Sequence, residues 1–218
     1  HVSGERSHQV FRHTPLETRF NVACFGILGY ELDLSEISRL ETTIIKAQIA
    51  FYKQHRSLFQ YGEFTRLRHV EDGNYTIWMV TNKTRTEAIV GYFQKQAIPN
   101  PGFDSIRIPS LAPGTYQING RKQYVNIRTF GNMVNRALPL KLKVNSTLHN
   151  FVANRYPFPI ESFVKTLTNE QLQHCTLIIP HKFTGTDHGE NDMILEDYGS
   201  RMYHIKRMSI TETQEHVV

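Results

Sequence analysis

The 218 residues include 39% hydrophobic and 11% aromatic side chains, which is enough to bury real cores and excludes an intrinsically disordered chain. The net charge is +5, but basic and acidic residues are interspersed and no run of five basic residues occurs, so the patterning argues against a nucleic-acid partner. No apolar stretch reaches the roughly 18 residues needed to span a bilayer, and no membrane partner is expected.

The chain begins at His1 with neither a methionine nor a signal segment, as if a strand were already under way. From Asn21 to Leu34 the sequence NVACFGILGYELDL is nearly continuously apolar up to Leu28, the pattern of a strand buried on both faces. Helix signals follow at once. Asp33 or Ser35 stands as N-cap, with Glu36 completing a box-like pair. Ile37, Leu40, Ile44, Ala47 and Phe51 then recur at helical spacing, which predicts a helix running to about Phe59 and stopping near Gly62. One strand and one helix cannot close a sheet, so this βα unit needs neighbours.

From Glu63 the texture changes to short β-type runs separated by turns: FTRLRHV, YTIWMVTN, EAIVGYF, SIRIP, YQI and RKQYVNI, with Asn119-Gly120 as a hairpin signal. This spacing predicts an antiparallel sandwich. Pro159 to Cys175 can hold a short helix, and LEDYGSRMYHIKRM reads as the last strand. In YTIWMV and AIVGYF, Trp78, Tyr92 and Phe93 alternate with aliphatics as a sandwich core requires, which weighs against a sugar-stacking platform.

Cys24 and Cys175 read as small core hydrophobes rather than a disulfide framework, in keeping with a reducing, cytoplasmic compartment. The sequons at Asn74, Asn82 and Asn145 read as chance occurrences. His1, His8 and His13 match no common metal-ligand spacing, and Asp187 to Asp192 lacks the alternating ligands of a calcium loop, so no metal is expected. Glu31 and Asp33 stand two apart and would share one face of a strand with Cα atoms about 6.5–7 Å apart. They are the best local carboxylate pair, set against a plainer reading in which Asp33 caps the helix and Glu31 packs or pairs nearby.

The segments HVSGERSHQ, TPLETRFNVACFGILGYELDLS, IKAQIAFYKQHRSLFQYGEFTRL, WMVTNKTRTEAIVGYF and DYGSRMY resemble, in order and over nearly the whole chain, the C-terminal part of glycoside hydrolase family 36 α-galactosidases. The resemblance implies an N-terminal β-supersandwich, a central (β/α)₈ barrel and a C-terminal antiparallel β-sandwich. Residues 1–62 would then be the C-terminal end of the catalytic barrel and 63–218 the sandwich, so the fold class is an α/β barrel tail followed by an all-β sandwich. It further implies that His1 is a point inside a longer retaining enzyme that hydrolyses terminal α-galactosyl residues of melibiose- or raffinose-type sugars without a cofactor. The nucleophile belongs in a Lys-Trp-Asp context and the acid/base after a Cys- and Gly-rich stretch. Neither motif occurs in these residues, so both are expected upstream, and the chain alone is expected to be inactive. The implied partners are the galactoside, the upstream barrel and N-terminal domain, and further copies in a homo-oligomer.

On the same map His1, Ser3 and His8 fall at one strand's C-terminal exit and Gly29 and Tyr30 at the next, the end where such barrels carry their active-site loops. They are candidates for the substrate rim, weighed against plain loop structure and a glycine that only eases a turn. The sequence departs from the family pattern at Gly4 to Ser7, where a Pro-Asn segment is usual, and after FTGTDHGEND, where an arginine is expected. The alternative reading is a non-catalytic carbohydrate-binding or structural β-sandwich module, which gives no reason for the βα unit of the first 62 residues. An α-N-acetylgalactosaminidase stays open, because sugar-selecting residues lie upstream.

Overall fold

The computed structural model describes residues 1–6, 11–98, 104–126, 128, 141, 143–156, 158–160, 162–179 and 195–209. Its first element corrects the sequence reading. Leu16–Ala23 is a helix, α1, where the run from Asn21 was expected to begin a strand. The start signal is Pro15, whose φ of −54° is already close to helical, followed by Glu17 in the first turn, where a carboxylate complements the helix dipole. The apolar run is divided by a turn through Cys24 to Gly26, and only its far end is extended. There Val2 and Tyr30 form a parallel bridge: the Val2 N–H donates to the Gly29 carbonyl at 2.7 Å and the Glu31 N–H to the Val2 carbonyl at 2.9 Å. A single parallel bridge with a helix between its two partners thus lies within the first 31 residues.

The second helix, α2, spans Arg39–Tyr61. Its cap is Ser38, not Asp33 or Ser35. The Ser38 hydroxyl accepts the Glu41 N–H at 3.1 Å, and the Glu41 carboxylate accepts the Ser38 N–H at 2.8 Å. This is a capping box placed where the apolar periodicity begins in earnest. Asp33 instead accepts the Ser35 N–H at 2.9 Å in a local turn. Gly62 alone separates α2 from the first sheet strand. A Cβ there would lie 2.4 Å from the Leu58 carbonyl oxygen and 2.6 Å from a Val80 methyl.

The sheet strands are β1 Glu63–Arg68, β2 Tyr75–Thr81, β3 Glu87–Gln94, β5 Thr115–Gly120, β8 Val164–Thr168 and β10 Ser200–Arg207. They form one six-stranded antiparallel sheet in the order β1-β2-β3-β10-β5-β8. Two small ladders accompany it: β4 Asp104–Ile106 with β9 Leu177–Ile179, and β6 Tyr124–Val125 with β7 Phe158–Pro159. Short helices α3 Thr147–Ala153 and α4 Asn169–His174 and a 3₁₀ turn at Val70–Asp72 complete the regular structure of the described residues. The sheet-rich C-terminal region and the final strand agree with the sequence reading. Asn119-Gly120 does not form a hairpin; it ends β5, with His204 and Tyr203 opposite on β10 and the Gly120 N–H donating to Phe163 at 2.7 Å. Two flanking strands claim its backbone, which overrides the local turn preference.

Alternation along the strands gives the sheet two buried faces. On one, Ile77, Met79, Val90, Tyr92, Tyr116, Ile118, Tyr203 and Ile205 pack with Ile106, Ile108, Leu177 and Ile179 of the β4–β9 layer. On the other, Val80, Ile89 and Met202 pack against Phe20, Cys24, Tyr52, Leu58 and Phe59 of the two helices. The apolar stripe of α2 is therefore covered in large part by the sheet.

Polar side chains join the layers as well. Glu17 and Arg121 form an ion pair with side chains only 8% and 3% exposed. The Glu17 carboxylate also accepts the Gln48 amide at 2.9 Å and the Tyr124 N–H at 2.9 Å. Arg121 donates from Nε to Asn21 at 3.1 Å and lies 4.9 Å from the Phe20 ring centroid. Asn21 in turn donates to Ser200 at 2.8 Å and to Gln123 at 3.2 Å, and Thr18 shares a hydroxyl contact of 2.7 Å with Ser200. A charge this deeply buried is tolerated only when its hydrogen-bonding capacity is filled.

Glu17→Gln strands the Arg121 charge and should lower unfolding free energy by about 3–5 kcal/mol in urea titration, while the joint Glu17→Leu/Arg121→Met change should cost less than the two single changes summed. Cysteine burial gives a second check. Cys24 is fully buried, and burial pushes its thiol well above the ordinary range, whereas Cys175 at the end of α4 is exposed rather than the core residue expected. A native thiol titration should therefore read one fast-reacting sulfur, and Cys175→Ser should remove it.

Candidate functional site

The Val2–Tyr30 bridge brings together residues distant in sequence. The His1 imidazole Nδ1 is hydrogen-bonded to the Glu31 carboxylate, and both side chains are about half or more exposed. The ring lies against Gly29, where an added Cβ would be 2.9 Å from His1 Cδ2, so the absence of a side chain at 29 is what admits it. Tyr30 donates its hydroxyl to Gln48 at 3.0 Å, and Gln48 continues to Glu17. Burial pushes the Tyr30 phenol above its usual range and keeps it a neutral donor. A solvent-facing histidine–carboxylate pair is thus fixed through Tyr30 to the buried network below it. Such a pair can accept or donate hydrogen bonds to sugar hydroxyls.

Of the sequence candidates, His1, Gly29 and Tyr30 converge. Ser3 lies beside them, exposed, with its carbonyl held by the Arg19 guanidinium. His8 lies outside the described residues, as does the acidic loop from Asp187 to Asp192. Glu31 and Asp33 do not act as a pair. Glu31 is engaged by His1, while Asp33 is fully exposed with its carboxyl held below the usual range by the Ser35 hydroxyl and N–H. His13 pairs with Glu5. Tyr92 and Phe93 are buried, and Trp78 is half-buried 4.8 Å from Phe93 and 5.6 Å from Phe25, so these rings pack on one another or in the core rather than forming a sugar platform.

A second cluster escaped the sequence reading. His55 near the end of α2, Glu87 at the start of β3 and His204 in β10 place one ligating atom each within 4.8 Å of one another. His204 Nε2 lies 2.7 Å from Glu87 Oε1, and the His55 and His204 rings are 4.4 Å apart between centroids. Burial, helped by His204, pushes the His55 imidazole down to about 4, so it is neutral near pH 7. The cluster borders a cleft of about 350 Å³ lined by Gln54, His55, Tyr61, Asn82, Lys83 and Glu87. His55 sits in an unbroken amphipathic helix and His204 in an alternating strand, so nothing local marks either of them.

Comparison with known proteins gives these positions a context. The family described as Melibiase matches residues 1–62, and the glycosyl hydrolase family 36 C-terminal domain matches residues 75–205. The α-galactosidase AgaA of Geobacillus stearothermophilus is 40% identical over 125 residues, which cover 57% of this chain and 17% of that protein. The crystal structure of an AgaA variant in complex with raffinose superposes with a TM-score of 0.65 at 26% identity, over 95% of this chain and 21% of that one. The α-galactosidase of Lactobacillus brevis gives a TM-score of 0.66 at 26% identity, over 96% and 22%. The chain therefore spans about a fifth of the length of the solved relatives it matches. Because the C-terminal-domain match alone runs through more than half of its residues, the chain belongs to glycosyl hydrolase family 36.

Proposed function

We propose that this chain is the C-terminal part of a retaining α-galactosidase, with residues 1–62 completing its (β/α)₈ catalytic barrel and the antiparallel sheet region buttressing them. The observation that carries the reading is the parallel Val2–Tyr30 bridge with α1 as its crossover and α2 following, an order compatible with the last βα units of such a barrel. Val22, Ile27 and Leu34 leave apolar surface exposed, of the kind that preceding barrel units cover. The named α-galactosidase relatives support the activity, and the raffinose complex of AgaA supports raffinose-type substrates.

In this reading the bridge's C-terminal end faces the sugar. A retaining mechanism needs two carboxyls about 5–5.5 Å apart, one as nucleophile and one as acid/base. Glu31 and Asp33 are held by other partners, so the reading assigns both roles to residues outside these 218 and gives His1, Ser3, Gly29, Tyr30 and Glu31 the rim. Two unpaired cysteines support a cytoplasmic enzyme, and assembly into a homo-oligomer completes the proposal.

The 218-residue chain should show no turnover of an aryl α-galactoside, while the complete enzyme should release galactose from raffinose. Turnover by the chain alone that vanishes in Glu31→Gln would overturn the assignment. In the complete enzyme Gly29→Ala should displace the His1 ring and lower kcat/KM by about tenfold or more, with the thermal transition little changed. An unaltered kcat/KM would remove His1 from the rim.

A further inference from the structure

We propose that His55, Glu87 and His204 bind a divalent transition-metal ion of the zinc type, clamping α2 onto the sheet. Among the described residues, these three side chains form a group of histidine and carboxylate ligands whose ligating atoms all lie within 4.8 Å of one another. Two imidazole nitrogens and one carboxylate oxygen are a donor set that suits zinc and its first-row neighbours, whereas calcium and magnesium select oxygen alone.

The ligands are well anchored. Glu87 and His204 stand diagonally on paired strands, since His204 faces Ile89 and Lys206 faces Glu87 across the ladder. His55 comes from a separate layer, its ring between those of Phe51 at 4.6 Å and His204 at 4.4 Å. It makes no side-chain hydrogen bond among the described residues, so a ring nitrogen remains to be used. Bond lengths near 2.0–2.2 Å place tetrahedral ligands about 3.3 Å apart, so the widest spacing must shorten by about 1.5 Å. The site requires the ligand side chains, the His55 ring among them, to turn toward the ion to supply this. The adjoining cleft leaves room for water as the fourth ligand. Lys83 on the cleft and Lys206 beside Glu87 oppose the ion's charge, and the Glu87 carboxylate offsets part of it.

The test is titration of the metal-free chain with Zn²⁺ against a chromophoric chelator, with Co²⁺ as a visible-absorption probe. The expected result is one equivalent bound, a thermal midpoint that rises with Zn²⁺, and the intense visible bands of four-coordinate Co²⁺. His55→Gln, His204→Gln and the near-isosteric Glu87→Gln should each weaken binding by at least about tenfold and abolish those bands. His1→Gln and His13→Gln should leave them intact. Circular dichroism and the metal-free thermal transition identify any variant that fails to fold, and Glu87→Gln then decides. Failure of the unaltered chain to take up an equivalent, or binding that survives His55→Gln and His204→Gln in folded protein, would overturn the proposal. None of these readouts depends on glycosidase activity.

Discussion

The Glu17–Arg121 pair is the constraint around which the rest of the molecule is arranged. An unpaired ion at that depth would be prohibitive, so the surrounding chain must deliver partners in the right places: Gln48 from α2, the Tyr124 N–H, and Asn21 one turn further along α1. Each partner belongs to a different element. Satisfying the pair therefore fixes both helices against the segment that leaves β5, and Asn21, Thr18 and Gln123 extend the same grip to Ser200 on β10. Apolar packing between helices and sheet supplies most of the burial, but it is tolerant of small slides. The directional bonds are not.

This rigidity reaches the surface through one side chain. Tyr30 hangs from Gln48 with its hydroxyl, and its backbone flanks the Gly29 against which His1 lies. The exposed pair of His1 and Glu31 thus rests on a base set by buried charge, and side chains so supported keep their orientation. At the opposite end of α2 the support is of another kind: rings of Phe51, His55 and His204 lie in sequence between helix and sheet, with Glu87 alongside.

Where the sequence could be read and where it could not follows from the range of the forces involved. The α2 helix, the β2–β3 hairpin and β10 carry their periodicity locally and were legible. The run at Asn21 was misread because a short continuous apolar stretch looks alike as strand or helix; the overlooked signal was Pro15 followed by Glu17. The capping box was expected at Asp33 or Ser35 with Glu36, and the Ser38-x-x-Glu41 box that caps α2 was missed. Asn119-Gly120 was misread because a sheet can enforce an extended backbone on a dipeptide that prefers to turn. The candidates His1, Ser3, His8, Gly29 and Tyr30 came from family resemblance, not from any local pattern. Glu17 with Arg121, and His55 with Glu87 and His204, were out of reach, since each set is assembled by tertiary contact alone.

Gly62 carries a last consequence. One residue passes the chain from the end of α2 to the start of β1, and its backbone is pressed so closely on Leu58 and Val80 that no side chain fits. The first family match, over residues 1–62, thus ends where the polypeptide has no slack. Recombination at this joint would hand a new host a strand already committed to one angle and one register, so the two parts should be inherited as a unit rather than shuffled. For the same reason a protease probing the native protein should find no foothold between them, and strain applied to the sheet should be felt directly at the helix.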